Sequence, residues 1–264
     1  YRQTINGRGA LGEAFDIGKR FGKNEQWGVR VSAENIQGKT AVEREKLTTR
    51  DIYVNLDHVG NRSTTNLFAG YRYTKNEGGQ RYFAFDGGID TTIPAHPVDY
   101  RYTGDRLPDP PNGKRNYSFP GQQITVSTWS AVLNHEQKIN ENWKAFLNAG
   151  HSYNLGSGYV QTAASRLYML DEAGHFGNKL SAEKFALRNS YVQLGVQGTF
   201  HIGQVKNDVV LAADRNWYRA YWGFRANGII NGATGFTSFG SVAGSLADGV
   251  TSVTQNYPYS AVTG

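Results

Sequence analysis

A chain of 264 residues with no Cys has neither a disulfide framework nor a thiolate metal site. Its formal net charge of +6 comes from 28 Lys and Arg scattered among 22 Asp and Glu, which lacks the clustered basic patch of a nucleic-acid binder, so no nucleic acid is expected as a partner. No window approaches the ~18–20 apolar residues of a membrane-spanning helix, but barrel strands of ~9–11 residues, apolar only at alternate positions, average out in hydropathy and stay open.

Residues 10–21 are the first predicted strand, with Leu11, Phe15 and Ile17 on one face and Ala14, Asp16, Gly18 and Arg20 on the other. A polar turn at 22–26 leads to a strand over 27–37, where Trp27, Val29, Val31 and Ala33 alternate with Arg30, Ser32 and Glu34. A short charged loop, 38–46, precedes a third strand over 47–59, with Ile52, Val54 and Leu56 opposed to Asp51, Tyr53, Asn55 and Asp57. The turn Gly60-Asn-Arg-Ser63 has the residues that tight turns need, and a fourth strand covers 64–76. Residues 77–123 carry most of the prolines and many aromatics; a connection this long is usually functional or disordered. Alternation resumes over 124–139 and, after the turn Asn140-Glu-Asn142, over 143–153. A second long loop is predicted over 155–188, with a helix possible within 162–172. Strands over 190–202 and 207–217 flank a turn at 203–206, and 218–264 reads as one more long loop.

Connections therefore alternate between short and long, and aromatics gather near strand ends: Phe21, Trp27, Tyr71, Tyr73, Trp143, Tyr153, Trp217 and Tyr218. A β-sandwich also alternates, because one face of each sheet packs on a core. Long loops at one end only, with a polar, charged face on strand after strand, are instead the signature of a transmembrane barrel. Closure is what satisfies every backbone group in lipid. The fold class expected is all-β, an antiparallel up-and-down transmembrane barrel of which about eight strands are present, with a soluble β-rich binding domain as the alternative.

The run Asp16-Ile-Gly-Lys-Arg-Phe-Gly22 followed by Trp27-Gly-Val-Arg-Val31 resembles the first barrel hairpin of TonB-dependent siderophore receptors, with Ser32 where Asn is common in the family. Thr40-Ala-Val-Glu-Arg-Glu-Lys46 resembles the family's first outer loop, Ala69-Gly-Tyr71 the end of its second hairpin, and Ile93-Pro-Ala-His-Pro97 an Ile-Pro-x-x-Pro-like segment. The resemblance runs from about Gly7 to Trp217. It implies an outer-membrane barrel of about twenty-two strands around a plug domain, located in the outer membrane of a Gram-negative cell. The implied partners are a ferric siderophore or similar chelate, the TonB system acting through the plug, and outer-membrane lipid. Nothing in this chain reads as the plug or as a TonB box, and it ends Ala261-Val-Thr-Gly264 without a terminal aromatic. Residues 1–264 are therefore read as a partial barrel that does not transport alone and exposes two unpaired edges. A complete eight-stranded barrel with a structural or adhesive role is a second alternative.

Siderophores are often flat or anionic, and aromatic faces beside guanidinium groups suit such ligands. Tyr82, Phe83, Tyr100, Arg101, Tyr102 and Tyr117 are the candidate vestibule residues, against the plainer reading that they pack the loops. The six histidines lack close ligand spacing, so neither a metal site nor a cofactor is expected. Phe224-Arg-Ala-Asn227 only partly resembles the Phe-Arg-Ala-Pro run of haem-uptake relatives. No Gly-x-Ser-x-Gly elbow or phosphate-loop context is present, so no enzyme is expected. Arg30, Glu34, Arg50, Asp51, Arg72 and Lys144 are predicted to form lateral ion-pair ladders on the inner wall.

Overall fold

The computed structural model describes residues 1–5, 8–79, 82–90, 98–118, 120–161, 166–223 and 238–255. The strands are β1 (Arg2–Ile5), β2 (Leu11–Phe21), β3 (Trp27–Lys39), β4 (Lys46–Val59), β5 (Ser63–Glu77), β6 (Tyr82–Ala84), β7 (Ile89–Asp90), β8 (Val98–Asp99), β9 (Gln123–Lys138), β10 (Trp143–Gln161), β11 (Arg166–Met169), β12 (His175–Ile202), β13 (Val205–Gly223), β14 (Ser238–Ser245) and β15 (Gly249–Gln255). A 3-10 turn at Lys23–Glu25 is the only helical element among the described residues.

The eight long strands form an antiparallel up-and-down wall in the order β2-β3-β4-β5-β9-β10-β12-β13. Each pairs with its predecessor in the wall, through a register that holds without a slip from β2 to β13. The sheet does not close on itself. β1 covers the loop end of β2, pairing Arg2–Ile5 with Ala14–Leu11, so the predicted first edge is bare over only part of its length.

Because side chains alternate along a strand, register partners share a face. The row Asp16, Ser32, Tyr53, Gly70, Ser130, Ser152, Asn189 lies on one side. The adjacent row Ile17, Val31, Val54, Ala69, Ala131, His151 lies on the other. The polar face is tied together laterally. Arg30 Nε donates to Asp16 at 2.8 Å, Arg20 to Asp57 at 2.9 Å, Arg72 to Asp51 at 3.1 Å, Lys144 to Glu136 at 2.9 Å and Arg2 to Glu34 at 2.6 Å. Amides continue the ladder: Asn66 to Asn55, Asn134 to Asn148 and Asn148 to Gln193, each at 2.8–2.9 Å. Exposed pairs of this kind contribute ~0–1 kcal/mol each; their larger consequence is that charge has partners on this side. Gly28 makes room for one such pair, since a Cβ there would lie 2.3 Å from Asp57 Oδ1 and 2.8 Å from Arg20 Nη1.

The other face is apolar and bare. Phe15, Ile17, Ile52, Leu67, Trp129, Leu194 and Leu211 are 40–70% exposed on it. Aromatics bound this band. Phe21, Trp27 and Trp143 stand at the short-turn end; Tyr71 and Trp129, rings 4.3 Å apart, and Tyr153 stand at the long-loop end. On β10 the two levels are Trp143 and Tyr153, a separation of ~33 Å along the strand, or ~25 Å in height at a tilt of ~40°, the span of a bilayer's apolar band.

Four expectations change. The segment 155–188 is not a loop throughout: β10 continues to Gln161 and β12 starts at His175, because their pairing extends to Gln161↔Leu180 beyond the aromatic band. The helix considered within 162–172 is replaced at Arg166–Met169 by a strand, which pairs with β6 and β12. The tail 218–264 holds the end of β13 and the β14–β15 hairpin. Arg50 does not face inward, since it lies in register with Asn35 and Tyr73 on the side of Ile52. Ile93-Pro-Ala-His-Pro97 and Phe224-Arg-Ala-Asn227 lie outside the described residues.

Candidate functional site

Beyond the upper aromatics the long connections fold onto one another as a layer. β6 pairs in parallel with β11, with Tyr82↔Arg166 and Ala84↔Tyr168. β11 pairs with the start of β12, and β14 pairs with it on the other side. Around these strands Tyr117, Leu167, Met169 and Phe176 are 0–1% exposed, with Phe83, Tyr102, Leu246 and Val250 packed against them. Phe83 meets Tyr117 edge-on at 5.2 Å and Phe176 at 5.7 Å. This is the only buried apolar cluster among the described residues; the wall itself has none, because its apolar face is turned outward.

A polar clamp fixes this layer to the first outer loop. Buried Asn116 donates to the carbonyls of Glu43 at 2.6 Å and Gly78 at 2.7 Å. Ser118 donates to Gly79 at 2.5 Å and Gln122 to Gly79 at 2.9 Å. Arg44 reaches the Asn116 carbonyl at 3.1 Å. Gly78 has φ +68, and a Cβ there would sit 2.9 Å from the Arg44 carbonyl oxygen, so the clamp needs glycine for both conformation and space. A cleft of about 390 Å³ opens beside it, lined by Arg44, Lys46, Glu77, Gly78 and Gln122 among others.

The six predicted vestibule residues separate in the structure. Tyr117 at 1% and Tyr100 at 5% exposure are buried. Tyr117 sits in the loop core and its hydroxyl donates to the Leu246 carbonyl at 3.3 Å, while Tyr100 packs on Tyr168. Both are packing residues and present no face to a ligand, which corrects the sequence expectation for these two. Phe83 and Tyr102 are half-buried against the same core. Tyr82, at 54%, and Arg101 are exposed. Phe85, not singled out from sequence, is 44% exposed and lies edge-on to Tyr102 at 5.1 Å. The exposed rim is therefore Tyr82, Phe85, Arg101 and Arg106. Phe85 lies in the same Arg-Tyr-Phe-Ala-Phe run as Tyr82, so the aromatic-plus-Arg signal already contained it.

Arg101 is not a bare cation. Its Nε and Nη2 fork onto Asp99 at 2.9 and 2.6 Å, and its backbone N–H adds a third bond at 3.0 Å. The side-chain bonds first, and the backbone bond second, lower the Asp99 carboxyl from its ordinary 3.8 to about 2. A carboxyl depressed in the folded state adds stability that is complete above its ordinary value and is lost as pH falls toward 2. The carbon chemical shift of the Asp99 carboxyl should therefore titrate with a midpoint near 2, and a midpoint near 4 would show that the fork does not form. Burial, reinforced by Glu172, Asp171 and Asp105, raises the Tyr102 phenol above its ordinary value. It stays neutral at physiological pH and serves as a ring, not as a phenolate ligand. Among the described residues no three His, Asp or Glu converge as a metal site.

An apolar outer band, a polar ladder and one-sided long loops give a wall that resembles part of the barrel of solved siderophore receptors. The solved structures it resembles include BauA, the ferric preacinetobactin receptor of Acinetobacter baumannii, with a TM-score of 0.76 and 20% identity over 97% of this chain and 34% of that receptor. The siderophore receptor PiuA of the same organism gives 0.64 at 12% identity, covering 84% of this chain and 30% of PiuA. The ferric-catecholate import receptor Fiu of Escherichia coli K12 gives 0.61 at 12% identity, over 91% of this chain and 36% of Fiu. In sequence, the chain is 28% identical over 148 residues to the ferrichrome receptor FcuA of Yersinia enterocolitica, covering 56% of this chain and 17% of that protein. No protein-family model matches. The chain thus spans about a third of each solved receptor and a smaller part of FcuA.

Proposed function

We propose that residues 1–264 are the early part of the barrel of a Gram-negative outer-membrane receptor that takes up a ferric siderophore or similar chelate. Uptake would be driven by TonB through a plug domain supplied by another part of a longer chain. The observation that carries this reading is the wall's bilayer-high apolar band, crowned at one end only by a folded layer of long loops. Similarity to receptors for ferric chelates supports it. The iron arrives inside its chelate as cargo, so the protein needs a surface for the chelate and no ligand set of its own. The exposed rings of Tyr82 and Phe85 supply stacking faces, and Arg101 and Arg106 add exposed cationic groups from the same long connection. The reading assigns no catalysis.

The test is ferric-chelate binding and iron uptake by the full-length receptor in a strain lacking its own. Deleting residues 77–122 should abolish both. Because that deletion also removes the clamp, the discriminating variant is Tyr82→Ala, which leaves the core in place. Loss of one exposed stacking face, about 1 kcal/mol, should weaken binding about fivefold. Unchanged affinity in both variants would refute the assignment of this rim.

A further inference from the structure

The Tyr102 ring joins Phe85 and Arg106 of the exposed rim. Phe85 meets it edge-on at 5.1 Å, and its hydroxyl donates to the Arg106 carbonyl. The backbone of this group is held from a different connection, the turn of residues 170–174 between β11 and β12. The N–H and the hydroxyl of Thr103 both donate to the Leu170 carbonyl at 2.9 Å. The N–H groups of Asp105 and Arg106 both donate to Glu172 Oε1, at 2.7 and 2.9 Å. One carboxylate oxygen thus takes two consecutive amides and fixes the direction of the chain at Arg106. Gly104 leaves room for this closure, since a Cβ there would lie 2.6 Å from the Tyr102 hydroxyl oxygen and press on Glu172 Cγ.

The turn that carries Glu172 is itself anchored. The Leu170 N–H donates to the His175 carbonyl at 2.8 Å, and the Leu246 N–H to the Gly174 carbonyl at 2.9 Å. The Asp171 carboxylate accepts the His175 N–H at 3.1 Å and faces its Nδ1 at 2.7 Å. Met169 and Phe176, which bracket the turn, are buried in the loop core. Glu172 therefore links the rim to the most tightly packed part of the layer. It is not spent on charge pairing: its Oε2 comes no nearer than 3.9 Å to Arg106 Nε, and the Arg106 side chain stays 87% exposed.

We propose that Glu172 is a positioning residue of the ligand rim. By accepting from two adjacent amides it holds residues 103–106, so that Phe85, Tyr102 and Arg106 stand in one fixed arrangement for the incoming chelate. It acts as a hydrogen-bond acceptor and not through its charge. A turn fixed beforehand spares the ordering that binding would otherwise cost. The proposal rests on the reading of this rim as the chelate surface.

The test measures binding of the ferric complexes of a catecholate, a hydroxamate and a hydroxycarboxylate to the full-length receptor, and carries forward the one held most tightly by the wild type. Glu172→Ala should weaken it about fivefold, while Glu172→Gln, which keeps the acceptor oxygen without the charge, should stay within about twofold. Glu172→Asp, one methylene shorter, should fall with the alanine variant. Hydrogen exchange at the Asp105 and Arg106 amides should rise in the Ala and Asp variants and not in the Gln variant. Because Glu172 acts through the rim, its loss should cost little once Phe85→Ala is present, whereas a general loosening of the loops would cost the same in both backgrounds. Unchanged affinity in Glu172→Ala overturns the proposal; so does a Gln variant as weak as the Ala variant, or full additivity with Phe85→Ala. If Tyr82→Ala weakens binding and Glu172→Ala does not, positioning fails and the rim reading stands. If neither does, or if the wild type binds none of the three complexes, both fail.

Discussion

Replacing Phe176 by Ala should open the outer-loop layer and leave the wall standing. Phe176 is 0% exposed and meets the clamp segment, β6, β11 and β14. It lies 5.9 Å from Tyr117 in the clamp segment, 5.7 Å from Phe83 on β6, and directly against Gly244 on β14, where an added Cβ would be 2.7 Å from its ring. Truncating a fully buried Phe costs about 3–5 kcal/mol. The buried apolar cluster has four members, so a loss of that size is a large part of what holds the loops together. The wall depends on its register ladder and on its surroundings, and neither includes this ring. Hydrogen exchange in the full-length receptor should therefore rise at Tyr82–Ala84, Arg166–Met169 and Gly249–Gln255 and stay unchanged at Ser63–Glu77. Uniform exchange across both regions, in either direction, would show that the layer is not a separate cooperative unit.

Leu67→Arg should destabilise the inserted barrel by about 2–4 kcal/mol. Leu67 lies between Leu56 and Leu133 in the register, midway between the aromatic levels, and is 42% exposed. In lipid an arginine there has neither water nor a partner. The comparison variant is Ser130→Arg, in the row of Tyr53, Gly70 and Ser152 on the polar face, which should fall within about 1 kcal/mol of the wild type because charge on that side is solvated and paired. Urea unfolding of the full-length receptor from lipid vesicles measures both. Equal cost for the two substitutions would mean that the faces are not lipid and lumen.

Much of the wall was legible because the physics behind it is local. The alternation of Trp27, Val29 and Val31 with Arg30 and Ser32 places a side chain by parity alone, and the four short turns fix which strands are antiparallel neighbours. The pairs Arg72–Asp51 and Lys144–Glu136 follow once neighbouring strands are in register. Arg50 was misplaced because it was judged by its charge, although one position from Asp51 it must face the other way. The upper part of β12 was missed for a different reason. His175–Lys184 has weak alternation and reads as loop, and it becomes strand through the partners that reach it: β10, β11 and β14.

The candidate site shows the same division. Aromatic and basic residues in 80–119 marked the segment, but not which rings are exposed. Tyr117 and Tyr82 are the same residue type in similar company, yet one is 1% and the other 54% exposed. What separates them is contact with Leu167, Met169 and Phe176, which come from a connection some fifty residues further along.

By itself the sequence determined the eight wall strands across the aromatic band, their two faces, the end that bears the loops and, through the hairpin motifs, the receptor family that the chain resembles. Each of these follows from spacing within one strand or across one turn. Only the tertiary structure decided which loop aromatics form a core and which remain as a rim. Burial and cross-strand neighbourhood depend on pairing between residues far apart in the chain, and that pairing is set by the register of the whole wall.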